Sequence, residues 1–366
     1  MTLKKSADTI PSLCCNQGND VPKRGVLLVN LGSPKTTAIP DVRRYLGEFL
    51  MDPYVIDSPW LIRKIVVSGF ILPFRPKRTA AAYRRIWEPT GSPLLRFSQA
   101  LRTSLAGRIV LPVELAMRYG EPSIEQAVSR LVTADVDEIL LIALYPHHAD
   151  STRTTTIKAV TQQLARLGSR VSLSVLQPFF AEPRYLAALA KSIGRTLPTN
   201  SQLLLFSYHG LPERHLTTAD PTGNHCLKTP DCCERASPAH ATCYRHQVFE
   251  TSRGVASLLG LTGNQWRVSF QSRLGRLPWL TPYTDKMLDA LPADGVKHLT
   301  VVCPAFVADN LETLEEIGMA GRERFLAAGG ESLTLVPCLN DDPDWVDTLA
   351  GWCLETNAES RPTDAG

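Results

Sequence analysis

Four short runs constrain the fold more than anything else in the chain: Val26–Leu31, Ile139–Tyr145, Leu203–Tyr208 and Leu299–Cys303. Each is almost continuously apolar. A strand with one wet face alternates apolar and polar residues, whereas a strand covered on both faces does not. Each run ends at a Gly or Pro turn, and a helical pattern follows. Strands alternating with helices predict α/β architecture with parallel sheets. At 366 residues the chain has room for about two domains.

The runs also pair. Val26–Gly32 resembles Leu203–Gly210, and both end in glycine. Ile139–Asp150 resembles Leu299–Asp309, with strand, Pro, Ala-Asp and helix in the same order. This predicts two similar halves, 24–178 and 179–355, divided between Gln177 and Pro183. Chance likeness between two βα units is the competing reading. Ligands of open α/β sheets bind beyond the carboxyl ends of the strands. That rule puts Tyr145, His209 and Asp309 at a candidate cleft.

The polar start of the chain has no apolar stretch like that of a secretory signal, so residues 1–23 read as a disordered leader and 356–366 as a disordered tail. The expected location is the cytoplasm, where thiols stay reduced. The net charge of +3 argues against a nucleic-acid partner. No run reaches the ~18 apolar residues of a spanning helix. The nearest, Ile65–Phe74, is bracketed by Arg63, Lys64, Arg75, Lys77 and Arg78. It suits either a buried core helix or an apolar lip at a membrane interface; residues 60–78 are the expected contact on the inner face of the cell membrane.

Three constellations carry chemistry. His209 directly follows an apolar strand and precedes Gly210, which suits a ligand-facing base or metal ligand; a purely structural histidine is the alternative. In Asp309-Asn-Leu-Glu312-Thr-Leu-Glu315-Glu316, Asp309 is an expected N-cap with Glu312 three residues on, as in a capping box. Helical spacing sets Glu312 and Glu316 on one face, beside an apolar stripe of Leu311, Leu314, Gly318, Gly321 and Phe325. The helix dipole alone accounts for Asp309 and Glu312, and less readily for a row reaching Glu316. Such a row can pass protons or a divalent cation. Residues 270–285 read as an aromatic loop in which Trp279 and Tyr283 either stack on a flat ligand or belong to a core. The common phosphate and nucleophile-elbow fingerprints are missing.

Nine cysteines are unevenly spread, with four between Cys226 and Cys243 in the pattern C-x5-C-C-x9-C. Pro221, Pro230 and Pro238 mark this stretch, residues 220–245, as a loop insertion. Clustered thiols in a reducing compartment point to a metal or redox site. Cys14 and Cys15 lie in the leader, and Cys303 and Cys338 read as small buried hydrophobes.

Taken in order, Gly25–Pro34, Tyr83–Pro93, Met117–Gly120, Leu144–Pro146, Ser207–Pro212, Phe270–Gly275, Pro278–Asp285 and Pro304–Glu316 resemble the ferrochelatase family over residues 24–353. The resemblance implies two Rossmann-like, chelatase-type halves closing on a porphyrin. It implies a lyase that inserts ferrous iron into protoporphyrin IX, the terminal step of haem biosynthesis. It makes His209 the residue that takes pyrrole protons or binds Fe²⁺, Glu312 its partner, and Asp309 and Glu316 an acidic path. Arg118, Tyr119, Tyr145, Trp279, Leu31 and Ser92 match positions lining the macrocycle. Leu31 and the apolar lip resemble the protoporphyrin branch; coproporphyrin III is the alternative substrate. Some members carry a [2Fe–2S] cluster. The animal ligand set does not fit, since Asp150 stands at one of its positions and only Cys353 lies near the C-terminus. An internal set of Cys226, Cys232, Cys233 and Cys243 resembles that of microbial members. Zinc or free thiols are the other readings of that loop. A carrier without catalysis, or a cobalt or nickel chelatase, are the other functional readings; oligomeric state is not legible.

Overall fold

The computed structural model describes residues 23–273, 275 and 277–355. The expected leader, apart from Lys23, and the expected tail lie outside them, as do Cys14 and Cys15. Among the described residues, eight strands form two sheets. Arg24–Asn30 (β1), Val113–Met117 (β2), Glu138–Ala143 (β3) and Ser172–Val175 (β4) make the first, in the order β2-β1-β3-β4. Leu203–His209 (β5), Trp266–Gln271 (β6), His298–Val302 (β7) and Ser332–Leu335 (β8) make the second, in the order β6-β5-β7-β8. Every pairing is parallel. The two sheets thus share one connectivity, and the fold is α/β in two similar halves.

The four apolar runs are the two inner strands of each sheet. β1 is buried from Gly25 to Asn30, and β5 from Leu203 to Tyr208. Their neighbours β2, β4, β6 and β8 are edge strands with mixed burial, and the hydrophobic pattern does not announce them. One expectation is corrected here: Phe270 and Gln271 close β6, so the segment read as a loop begins only at Ser272.

Each half sandwiches its sheet. On one face of the first sheet, Leu27, Val29, Ala116, Ile139 and Leu141 pack on Ile124, Val128, Leu131, Val160 and Leu164. In the second half Leu203, Leu205, Leu299 and Val301 pack on Leu288, Ile317 and Phe325. The other faces merge into one larger core that reaches from Val26 and Leu28 through Phe206 and Tyr208 to Trp345 and Trp352.

The apolar lip is not a buried core helix. Helix Trp60–Ile65 continues as a π-helix, Val66–Ile71. Val67 points inward, while Trp60, Leu61, Ile62, Ile65, Phe70 and Phe74 are exposed, Phe70 to 70% and Phe74 to 75%. Arg63 is not part of a cationic rim: it is buried and donates to the carbonyls of Ile56 and Ser58 at 3.1 and 2.8 Å. Among the described residues no helix is long and apolar enough to cross a membrane.

Candidate active site

β5 delivers His209 to the end of the second sheet, in register with Gln271 of β6. A carbonyl can only accept, so the 2.7 Å contact between His209 Nδ1 and the Gly210 carbonyl puts the proton on Nδ1 and leaves the Nε2 lone pair free. Burial lowers the imidazole pKa from 6.5, against a smaller opposing pull from the Gly210 carbonyl. The ring is therefore neutral, with its proton on Nδ1. Trp279 lies 6.4 Å from it and Phe306 6.3 Å, centroid to centroid. Gly210 permits this packing: a Cβ there would lie 3.0 Å from the Gln271 carbonyl and 3.2 Å from the Trp279 ring.

The acidic row sits on a π-helix, Glu312–Gly321. Asp309 does not cap it. Asn310 does, its Oδ1 accepting from the Glu312 and Thr313 amides at 2.9 and 3.1 Å. Asp309 turns into the protein, where its oxygens accept from Thr313 Oγ1 at 2.9 Å, Asn340 Nδ2 at 2.8 Å and the Cys338 amide at 3.3 Å. Three bonds fix this buried carboxylate as a brace for the turn before Glu312. The apolar stripe also divides. Ile317 and Phe325 enter the second half's core, whereas Leu311, Leu314 and Met319 pack on Tyr45, Leu46, Tyr83 and Tyr119 of the first half.

Burial, and next the charge of Glu316, push the Glu312 carboxyl from 4.5 up to about 7; the Arg75 guanidinium pulls the other way. Burial also raises Glu316, opposed by the Ser272 hydroxyl and amide, which donate to it at 2.6 and 3.0 Å. Ser272 follows Gln271, so the same strand pair that holds His209 also holds Glu316. A neutral imidazole and a carboxyl that titrates near neutrality suit stepwise removal of protons from a bound acid.

Residues expected to line the macrocycle fall into two sets. Leu31, partly buried, packs on the same aromatic cluster as Leu311, and Trp279 packs by His209. Tyr145 is buried after β3, and Ser92 is buried at the start of helix Pro93–Ala106. Arg118 and Tyr119 also belong to a knot that sequence reasoning missed. Asp52 Oδ2 accepts from Arg118 Nη2 at 2.6 Å, the Tyr119 hydroxyl at 2.9 Å and Thr155 Oγ1 at 2.5 Å. Asp52 lies in no periodic pattern, so no sequence signal marks it. Gly32 lets this knot approach β1: at φ +110° its missing Cβ would lie 1.9 Å from the Tyr119 carbonyl.

Cys226, Cys232, Cys233 and Cys243 are all buried and none is in a disulfide. They form one interacting group with N–H donors aimed at sulfur. The Leu227 amide donates to Cys232 Sγ at 3.4 Å, the His246 amide to Cys243 Sγ at 3.5 Å, and Arg245 Nη1 to Cys232 and Cys233 Sγ at 3.7 Å each. The hydrogen bond from Cys233 most of all favours the Cys243 thiolate; burial raises Cys226. Asp220 pins the loop by accepting from the His225 and Cys226 amides at 2.8 and 2.9 Å. Among the described residues, however, no three His, Cys, Asp or Glu side chains are arranged to hold a metal ion. Cys303 and Cys338 are buried hydrophobes whose thiols burial pushes upward.

Residues 23–357 match the family model described as Ferrochelatase. A ferrochelatase of Stutzerimonas stutzeri (strain A1501) is 53% identical over 333 residues, covering 90% of this chain and 97% of its own. One of Azotobacter vinelandii (strain DJ / ATCC BAA-1303) is 54% identical over 331 residues, covering 90% and 97%. One of Pseudomonas fluorescens (strain Pf0-1) is 54% identical over 330 residues, covering 90% and 96%. Among solved structures, the sirohydrochlorin chelatase SirB from Bacillus subtilis subspecies spizizenii, in complex with cobalt, aligns at a TM-score of 0.49 with 11% identity, covering 90% of this chain and 93% of its own. With a family match over residues 23–357 and relatives above half identity over 90% of its length, the chain belongs to the ferrochelatase family.

Proposed function

We propose that the chain inserts ferrous iron into protoporphyrin IX to give protohaem, acting as a lyase in the last step of haem biosynthesis. The observation that carries this is the state of His209: a neutral imidazole whose Nδ1 is committed to the Gly210 carbonyl, leaving Nε2 as the open base. Insertion must remove two pyrrole protons. Nε2 takes a proton, and Glu312, with its carboxyl near 7, accepts and releases protons at neutral pH. Glu316 continues the path toward Ser272. His209 and Glu312 are ligands acceptable to the incoming Fe²⁺. Leu31, Ser92, Tyr145 and Trp279 line the disc, with Arg118 and Tyr119 holding the wall through Asp52. Asp309 serves the path by bracing it.

The exposed apolar side chains between Trp60 and Phe74 support contact with the inner face of the cell membrane, close to a poorly soluble substrate. They also favour protoporphyrin over the more polar coproporphyrin III. Cys226, Cys232, Cys233 and Cys243 are the residues that would hold a [2Fe–2S] cluster. Their burial and the N–H donors on their sulfurs fit thiolate ligation, and a two-iron cluster takes its thiolates in pairs on separate irons rather than three at one point. Such a cluster supplies one-electron redox chemistry.

The test is ferrous insertion into each porphyrin, with an absorption spectrum of the purified chain. His209→Ala should abolish turnover and leave porphyrin binding measurable; near-normal turnover would overturn the base assignment. Preference for coproporphyrin III would overturn the substrate. Anaerobically purified protein that is colourless and contains zinc would overturn the cluster.

A further inference from the structure

The four-cysteine loop follows the candidate base in the chain, and one helix links its last thiol back to that base. Helix Tyr244–Leu258 begins at the last thiol, and Cys243 Sγ is its N-cap acceptor. Its first residue, Tyr244, is buried, and its hydroxyl donates to the His209 main-chain carbonyl at 2.8 Å. The peptide held by that bond adjoins the one whose carbonyl fixes His209 Nδ1. Tyr244 thus sets the backbone against which the imidazole is oriented.

The same helix is pinned to the first half. Gln247 Oε1 accepts from the His148 amide at 2.7 Å, and Thr251 Oγ1 meets His147 Nε2 at 2.9 Å. The His147 ring packs edge-on against both Tyr208 and Tyr244, at 5.4 and 5.7 Å. Gln247 and Tyr244 both lie in the first turn, so that turn is tied at once to the first half, to His209 and, through the adjacent Cys243, to the thiol loop. A rearrangement of the thiols that moves Cys243 moves Tyr244 directly.

We infer that Tyr244 is a positioning residue that transmits the state of the four-cysteine loop to His209. The inference rests on His209 being the base, and holds whether the loop carries a cluster or free thiols. Alkylating the loop thiols, which puts a thioether carbon on sulfur and releases the thiol proton with the leaving group of the reagent, alters the hydrogen bond from Tyr244, and with it the orientation of the imidazole.

The experiment compares Tyr244→Phe, Cys243→Ser and the double variant, all full-length, in ferrous insertion. Losing one net hydrogen bond is worth up to about tenfold. Tyr244→Phe should lower kcat about 3- to 10-fold, leave KM for porphyrin unchanged, and displace the acid limb of the pH profile. Cys243→Ser should lower kcat, and the double variant should be no slower than the slower single one. Wild-type kcat and pH profile in Tyr244→Phe, or fully multiplicative losses in the double variant, would overturn the coupling. A second measurement needs no variant. The His209 ¹⁵N resonances of the wild-type chain should shift when the loop thiols are alkylated, and resonances that stay in place would overturn it. His209→Ala in the same assay separates the two ideas: turnover retained there sinks the base reading, whereas turnover lost there with Tyr244→Phe unaffected sinks only the coupling.

Discussion

Replacing Glu312 by Gln should make the folded chain more stable above neutral pH while removing its turnover. Burial and then Glu316 raise the Glu312 carboxyl from an ordinary 4.5 to about 7. A folded-state value above the unfolded one means that the folded chain binds this proton more tightly. The associated stability is whole below about pH 4.5 and is lost as pH rises through 7. The gap from 4.5 to about 7 corresponds to about 3 kcal/mol, at ~1.4 kcal/mol for each tenfold in proton affinity. Glutamine has the shape and charge of the protonated acid, so it escapes the loss. Urea unfolding of both chains from pH 4.5 to pH 8 is the assay. The variant should exceed wild type by under ~0.5 kcal/mol at the acid end and by about 3 kcal/mol at pH 8. Glu316→Gln, which removes the second cause of the shift, should shrink the wild-type loss. A difference between Glu312→Gln and wild type that does not change with pH would refute the reasoning.

Asp52→Ala should cost about 3–5 kcal/mol in denaturant unfolding, because it strands the partly buried Arg118 guanidinium and two hydroxyls. Gly32→Ala should cost at least about 3 kcal/mol, or yield no folded protein, since φ +110° and a Cβ 1.9 Å from the Tyr119 carbonyl must both be relieved; circular dichroism melting checks it. Phe70→Ser with Phe74→Ser should leave unfolding within about 0.5 kcal/mol per site, because both rings are exposed, and should weaken sedimentation with anionic lipid vesicles.

The inner strands of both sheets were legible because burial on two faces writes itself as unbroken apolar sequence, as at Val26–Val29 and Leu203–Phe206. Edge strands such as Ser172–Val175 were not, because one side of the strand and much of its surface need not be apolar. His209 and Glu312 stood out since a polar residue at the end of an apolar strand or at a helix start breaks a local pattern. The capping of Glu312 by Asn310 rather than Asp309 was not legible. Either side chain can cap, and the choice is made by Asn340 and the Cys338 amide, about 30 residues on. Asp52 and Tyr244 were invisible for the same reason. Their partners, Arg118 and the His209 carbonyl, come from other elements, so only the folded chain brings them together.

The π-helix that carries Glu312 and Glu316 is apolar on two sides, with Ile317 in one half and Leu311 and Leu314 against the other. Arg85 of the first half ties the same segment down through Glu315 at 2.8 Å and Glu323 at 2.9 Å. The carboxylates are therefore mounted on a keystone gripped from both sides rather than on an outgrowth of either half. Trimming the apolar grip on one side removes footing from Glu312 and Glu316 together, even where neither carboxylate is touched.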